Sequence, residues 1–225
     1  YRGIFPFGQE SFLRTDMYHQ YAPFFSEFRH KLLSGESLLY SWDVGMGVNF
    51  AALYAYYLAS PFNWLLLLCP SSLIIEFMTY MIVFKSGLAG LSMAWYLKKH
   101  TGSQKFGACY FGVFYALSGY MAAYSWNIMW LDCIVLLPLI LHGLERLVRE
   151  KKGLFYCLML GLSILSNYYI SIMICLFMVI YYVALLFLEK RPGWKDCLHS
   201  FFLFGVYSLL AGALAAAVLL PEIAA

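Results

Sequence analysis

Residues 106–131 contain no charged side chain. At 1.5 Å of helical rise per residue, that run is long enough to cross the ~30 Å hydrocarbon layer of a bilayer. In lipid every backbone polar group must be satisfied within the protein, which leaves helices and closed barrels as the spanning structures. Further apolar runs at 73–97, 128–148, 154–188 and 198–221 are of helical length, so the expected fold is an all-α, polytopic transmembrane helix bundle. Charged residues make up 12% of the chain, about half the share usual in soluble domains, and the mean hydropathy is +0.72. A net charge of +3 with no basic patch set in polar surface excludes a nucleic-acid partner; the lipid bilayer is the partner composition implies.

The run at 154–188 is too long for one helix and slightly short for two. Its flanks, "ERLVREKK" and "EKRPGWK", are both basic and so belong on the same side of the membrane. A hairpin of two short or tilted helices turning near "SNYYIS" satisfies them. The expected spans lie near 73–97, 106–125, 128–148, 154–169, 171–188 and 198–220, with 71–225 as the transmembrane unit. Basic clusters at Lys98, Lys99 and Lys105, at Arg146 to Lys152 and at Lys190 to Lys195 fall between alternate spans, which puts all three in the cytoplasm. Residues 1–60, the turn "YSWNIMWLD", the turn "SNYY" and Glu222 then face outward.

Residues 1–70 read as an extracytoplasmic first loop. Apolar residues at Tyr21, Phe24, Phe25, Phe28 and Leu32 follow helical spacing, and Gly35 supplies a stop. Gln20, Glu27, His30 and Lys31 make a polar face, a pattern suited to an amphipathic helix on the membrane surface. Pro23 either kinks that helix or starts it afresh. "DVGMG" lacks the spacing of phosphate-binding glycine loops and reads as a tight turn, followed by an aromatic membrane-edge segment ending at Pro70. Cys69, Cys109, Cys133, Cys157, Cys175 and Cys197 are scattered through apolar sequence without disulfide or zinc spacing. The start without methionine and the stop at "PEIAA" suggest an internal piece of a longer membrane protein.

Several residues stand out chemically, each with a plainer alternative. On a helix Asp16, His19 and Gln20 share a face; Asp16 is either a helix cap or a reacting carboxylate. Asp132, at the outer mouth of a span, is an interface residue or a second acid beside Asp16. Trp126 and Trp130, four apart, form a membrane-interface belt or platforms for a sugar ring. Asp43 and Asn49 belong to the glycine turn or touch a ligand. Lys85 lies deep in a span, where a charge costs about 2.5–3.5 kcal/mol and usually faces a polar cavity or a partner. Glu76 is too far along the helix to pair with it directly, and an anionic phosphate is the obvious partner.

"TDMYHQYAPFF", "LLSGESLLYSWDVGMGVNF", "YYLASPFNWL" and "NIMWLDCIVLLPLILHGLERL", in that order, closely resemble the YfhO family of bacterial membrane proteins. That resemblance implies a GT-C-type glycosyltransferase of the bacterial cell membrane, with its active site on the extracytoplasmic side. It implies a polyprenyl-phosphate-linked sugar as donor and a cell-envelope polymer such as lipoteichoic acid as acceptor. Asp16 matches the family's essential outer-loop acid and Asp132 a second one. Asp16 would be the base for the acceptor hydroxyl, with His19 and Gln20 beside it. Lys85 or Arg14 would hold the departing phosphate. Carboxylates at Asp16 and Asp132 would suit magnesium or manganese. The rival functions are a transporter or lipid flippase, motivated by Lys85 and Glu76 inside a span, and a non-catalytic scaffold.

Overall fold

The computed structural model describes residues 3, 4, 8, 10, 13, 15–102, 106–188 and 193–223; Arg14, Lys105 and Lys190 lie outside them. A π-helical turn, Met17–Tyr21, runs into helix α1, Ala22–Ser34. Pro23 explains the change of register: its ring would clash with the carbonyl four residues back, and the wider turn, closed by Ala22 N–H to Met17 O, relieves that clash. Helix α1 ends at Gly35, whose φ of 72° is left-handed, a conformation open to glycine at little cost. Strands β1 (Tyr40–Ser41) and β2 (Val48–Asn49) pair antiparallel around the glycine turn.

The next segment folds back on itself. Helix α2, Phe50–Leu53, continues as a π turn to Leu58, and a 3-10 helix, Pro61–Leu68, leaves at 101°. Ser60 precedes the proline, which disfavours a helical backbone there and sets the break. Helix α3, Ile74–Thr101, then crosses the molecule, followed by α4 (Gly107–Ala116) and α5 (Gly119–Tyr124). Beyond these come α6 (Leu131–Glu150), α7 (Leu154–Ser166), α8 (Tyr168–Leu188), α9 (Trp194–Leu214) and α10 (Ala216–Ile223).

Among the described residues four helices are long and apolar enough to cross a membrane: Ser71–Thr101, Ile128–Glu150, Tyr168–Leu188 and Trp194–Leu214, or five if the bent pair counts as one span. The protein is thus an all-α polytopic bundle. Two expected spans differ from what is seen. Residues 106–125 break at Leu117, because Ser118 caps a fresh helix through its Oγ to Met121 N–H. Helix α7 has 13 residues, about 20 Å of rise, and the hairpin turns at Asn167.

Helix α6 is the centre of the bundle: 61% of its span is buried, against 33% for α8. Leu136, Ile140, Leu144 and Leu147 pack against Tyr156 and Leu160 of α7 and Met178 and Tyr182 of α8. Gly143 lets α7 come close, since a Cβ there would sit 2.7 Å from Tyr156 Cα. Outward residues of α8 such as Ile172, Leu176 and Ile180 stay exposed, as lipid-facing side chains do. A second core joins the first 70 residues to α3: Phe25 and Phe28 of α1 are buried with Phe50, Leu58, Leu66 and Met78. Burying each phenylalanine contributes about 1.5–3 kcal/mol.

That core corrects the reading of α1. Its apolar face meets protein, and Lys31, expected on the polar face, is 4% exposed. The ammonium donates to Tyr40 O at 3.0 Å, pairs with Glu27 at 3.6 Å and Glu36 at 3.4 Å, and lies over the Phe50 ring. Three acceptors and a ring face make burial of this charge tolerable.

Candidate functional site

One end of the bundle gathers the π turn, α1, the hairpin, the bend at Ser60 and the turns at 124–130 and 166–168. Asp16 opens the π turn as an exposed residue whose carboxylate caps no backbone N–H, so the helix-cap alternative does not describe it. His19, also exposed, stands edge-on to Tyr18. Gln20 Nε2 donates to Tyr57 Oη at 3.2 Å, and Tyr21 Oη donates to the buried Asn127 Oδ1 at 3.2 Å. Burial pushes the Tyr21 phenol above its ordinary pKa, with Tyr57 and the Asp16 charge adding to the effect. Tyr21 therefore stays a proton donor to Asn127, and Asp16 is close enough for its charge to be felt there.

Aromatic rings frame this rim. Trp126 lies nearly parallel to Tyr21 with centroids 6.3 Å apart and gives its Nε1 proton to Ala123 O. Trp130 packs against Tyr124 and Tyr169, and Tyr56 joins Tyr57, Tyr168 and Tyr169. Tyr168 Oη donates to Glu222 Oε1 at 2.5 Å, and Asn167 Nδ2 donates to Tyr56 O. A cleft of about 550 Å³ opens between α1 and the hairpin, with Ser26, Glu27, His30 and Asp43 as its polar lining. Asn49, by contrast, caps α2 through Oδ1 to Ala52 N–H, a structural use of that side chain.

Asp132 and Lys85 go elsewhere. Lys85 Nζ sits 2.6 Å from Asp132 Oδ2 and also donates to Ser60 Oγ at 3.1 Å and Ile128 O at 3.2 Å. Ser60 Oγ donates to the other carboxylate oxygen at 3.1 Å. Lys85 is 0% and Asp132 3% exposed, so this is a closed ion pair tying α3, α6 and the bend together. The ammonium uses all three of its protons here, and the expected phosphate partner is replaced by Asp132. A divalent ion shared by Asp16 and Asp132 does not fit this closed pair, because it would have to displace or sit against the Lys85 ammonium 2.6 Å from Asp132 Oδ2. Among the described residues no three His, Cys, Asp or Glu side chains group as metal ligands.

Sequence reasoning missed Ser60, Tyr57 and Asn127. "SP" after an aromatic run was a readable sign of the bend, but nothing local announces that Ser60 meets residues far along the chain. At the opposite end it also missed a cluster around Glu145. That carboxylate takes Tyr96 Oη, Tyr181 Oη and His100 Nδ1 on Oε1, each at 2.7 Å, and Arg149 on Oε2 at 3.4 Å.

No solved structure matches the chain. A relative from Bacillus subtilis (strain 168), described as "Uncharacterized protein YfhO", is 24% identical over 199 residues, covering 82% of this chain and 23% of the relative. The chain thus spans about a quarter of that relative's length. The family described as "Bacterial membrane protein YfhO" matches across residues 1–225. With its apolar helices and that match over its whole length, the chain belongs to the YfhO family of bacterial membrane proteins.

Proposed function

We propose that this chain forms part of a membrane glycosyltransferase that moves a sugar from a polyprenyl-phosphate carrier to a cell-envelope polymer, such as lipoteichoic acid, at the outer face. The carrying observation is Asp16: an exposed carboxylate that caps nothing, on a π turn of the kind often found at functional sites, beside an aromatic rim. A phosphate-linked sugar already has a leaving group, so the main chemical need is a base for the acceptor hydroxyl. Asp16 takes that proton as the hydroxyl oxygen attacks the anomeric carbon, and the carrier phosphate leaves with the bonding electrons. His19 and Gln20 are within one helical turn to orient hydroxyls, and Trp126 offers an apolar face to a sugar ring.

Asp16→Asn in the full-length protein tests this. An amide cannot take the acceptor's proton, and losing a general base costs on the order of 10²–10⁴ in rate. Transfer of labelled sugar from carrier to membrane acceptor should fall by that factor while expression and melting stay unchanged. Near-normal transfer would remove Asp16 from the chemistry.

A second reading, a transporter or lipid flippase, draws on the bent pair and the buried Lys85–Asp132 pair beside it, since broken helices and buried charge mark many transport sites. Lipid translocation without sugar transfer in reconstituted vesicles would favour it.

A further inference from the structure

At the end of the bundle opposite Asp16, a pocket of about 440 Å³ lies where α6 passes into α7, lined by Arg146, Lys151, Lys152, Leu154, Phe155 and Tyr207. We propose that this pocket binds the phosphate headgroup of an anionic phospholipid from the leaflet on that side, which the Lys/Arg excess assigns to the cytoplasm.

Charge comes first. Arg146 and Lys152 share a single carboxylate oxygen, Glu150 Oε2, at 3.5 and 3.3 Å. Among the described residues Lys151 Nζ donates to a carbonyl, Val148 O at 2.9 Å. Among the described residues these three cations meet one carboxylate, and ammonium and guanidinium protons remain for a further anion. Lys151 is held in the left-handed region at φ 59° as the end of α6, which fixes where its side chain leaves the backbone.

The remaining walls select a lipid over a soluble phosphate. Leu154 is 64% exposed, and Phe155 and Tyr207 continue an apolar surface from the pocket onto α7 and α9. The Tyr207 ring lies hard against Gly153, where a Cβ would fall 2.1 Å from ring Cδ2, so the floor of the pocket is filled by an aromatic face. A cationic rim above an apolar floor at a membrane edge matches a headgroup phosphate with its acyl chains running alongside. Basic pockets between transmembrane helices on this side of a membrane bind such headgroups in general.

The experiment uses the purified full-length protein in bilayers of phosphatidylcholine containing a minor fraction of spin-labelled phosphatidylglycerol. We expect the wild type to retain labelled phosphatidylglycerol over labelled phosphatidylcholine. Lys151→Gln/Lys152→Gln should weaken that preference by about fivefold per lysine, and adding Arg146→Gln should abolish it. Lys98→Gln/Lys195→Gln, two exposed lysines at the same end, should leave it intact. Equal loss in that control would mean diffuse surface charge rather than a pocket and overturn the proposal. So would an unchanged preference in the lysine pair variant, which keeps α6 intact should the triple variant fold poorly. Displacement of the labelled lipid by millimolar inorganic phosphate would assign the pocket to a soluble anion and likewise overturn it.

Discussion

Asp132 and Glu145 stand near opposite ends of α6, 3% and 2% exposed, and the protein holds them by opposite means. Asp132 meets a full positive charge at 2.6 Å and one hydroxyl, with no partner open to water. Glu145 gathers two phenols and an imidazole on one oxygen and an arginine on the other. Its partners His100 and Arg149 are 39% and 44% exposed. The first arrangement is a sealed pair in which each charge has a single charged partner, helped by neutral groups. The second spreads one charge over several donors, two of which also reach solvent. Sealing gives rigidity and concentrates the risk of loss; spreading gives tolerance.

The largest expected effect breaks the sealed pair. Lys85→Met leaves Asp132 buried with only Ser60, a loss of about 3–5 kcal/mol, read as a lowered melting temperature in detergent. Lys85→Met with Asp132→Leu should recover most of it, because two apolar side chains need no partner. A single variant as stable as the wild type would end the claim that the pair is sealed. A smaller effect is expected at the other end: Tyr181→Phe removes one of several donors to Glu145 and should cost about 1 kcal/mol. A loss matching that of Lys85→Met would mean the charge is not shared.

Smallest of all is the Lys31–Glu36 pair at the water-facing edge. The Lys31 hydrogen bond holds the Glu36 carboxyl below its ordinary value. A depressed folded pKa adds stability above the unfolded carboxyl value, about 4.3, and that stability is lost as pH falls through the lower folded value. Glu36→Gln should flatten the melting temperature against pH slightly below about pH 5, well within the effect of Lys85→Met or Tyr181→Phe. A flattening as large as those effects would show that exposure does not weaken the pair as expected.

Much of the architecture could be read from residue patterns. The apolar runs mark the helices, Gly35 stops α1, and the basic residues at 98–99 and 146–152 fall at one end of the bundle, as their spacing requires. The glycine turn forms the hairpin, and the hairpin of α7 and α8 turns at "SNYY". What escaped the sequence was pairing at long range. Lys85 was visible as an expensive charge, but its partner is 47 positions away, and no periodicity links them. Lys31 carried the same ambiguity: helical spacing puts it beside Glu27 on a polar stripe, and only the fold of the hairpin and Phe50 over it turns that stripe inward. For the candidate site, the helical spacing of Asp16, His19 and Gln20 was legible, whereas Tyr57 and Asn127 enter through tertiary contacts alone.

The bend at Ser60 has a consequence for the order in which the chain is assembled. Its polar vertex, Ser60, is secured by Lys85 and Asp132, the latter 72 positions later in the chain. Such distant closures carry a loop-entropy cost before they are rewarded. During synthesis from the N-terminus, segment 50–68 emerges with α1 to pack on but before the Asp132 anchor of its vertex exists. A cysteine at position 60 should accordingly react with an aqueous thiol reagent in chains stopped before residue 128 and become shielded once α6 is complete. The aromatic rim around Asp16 leans on the same bend through Tyr56 and Tyr57, so the candidate site cannot be complete before α6 has arrived.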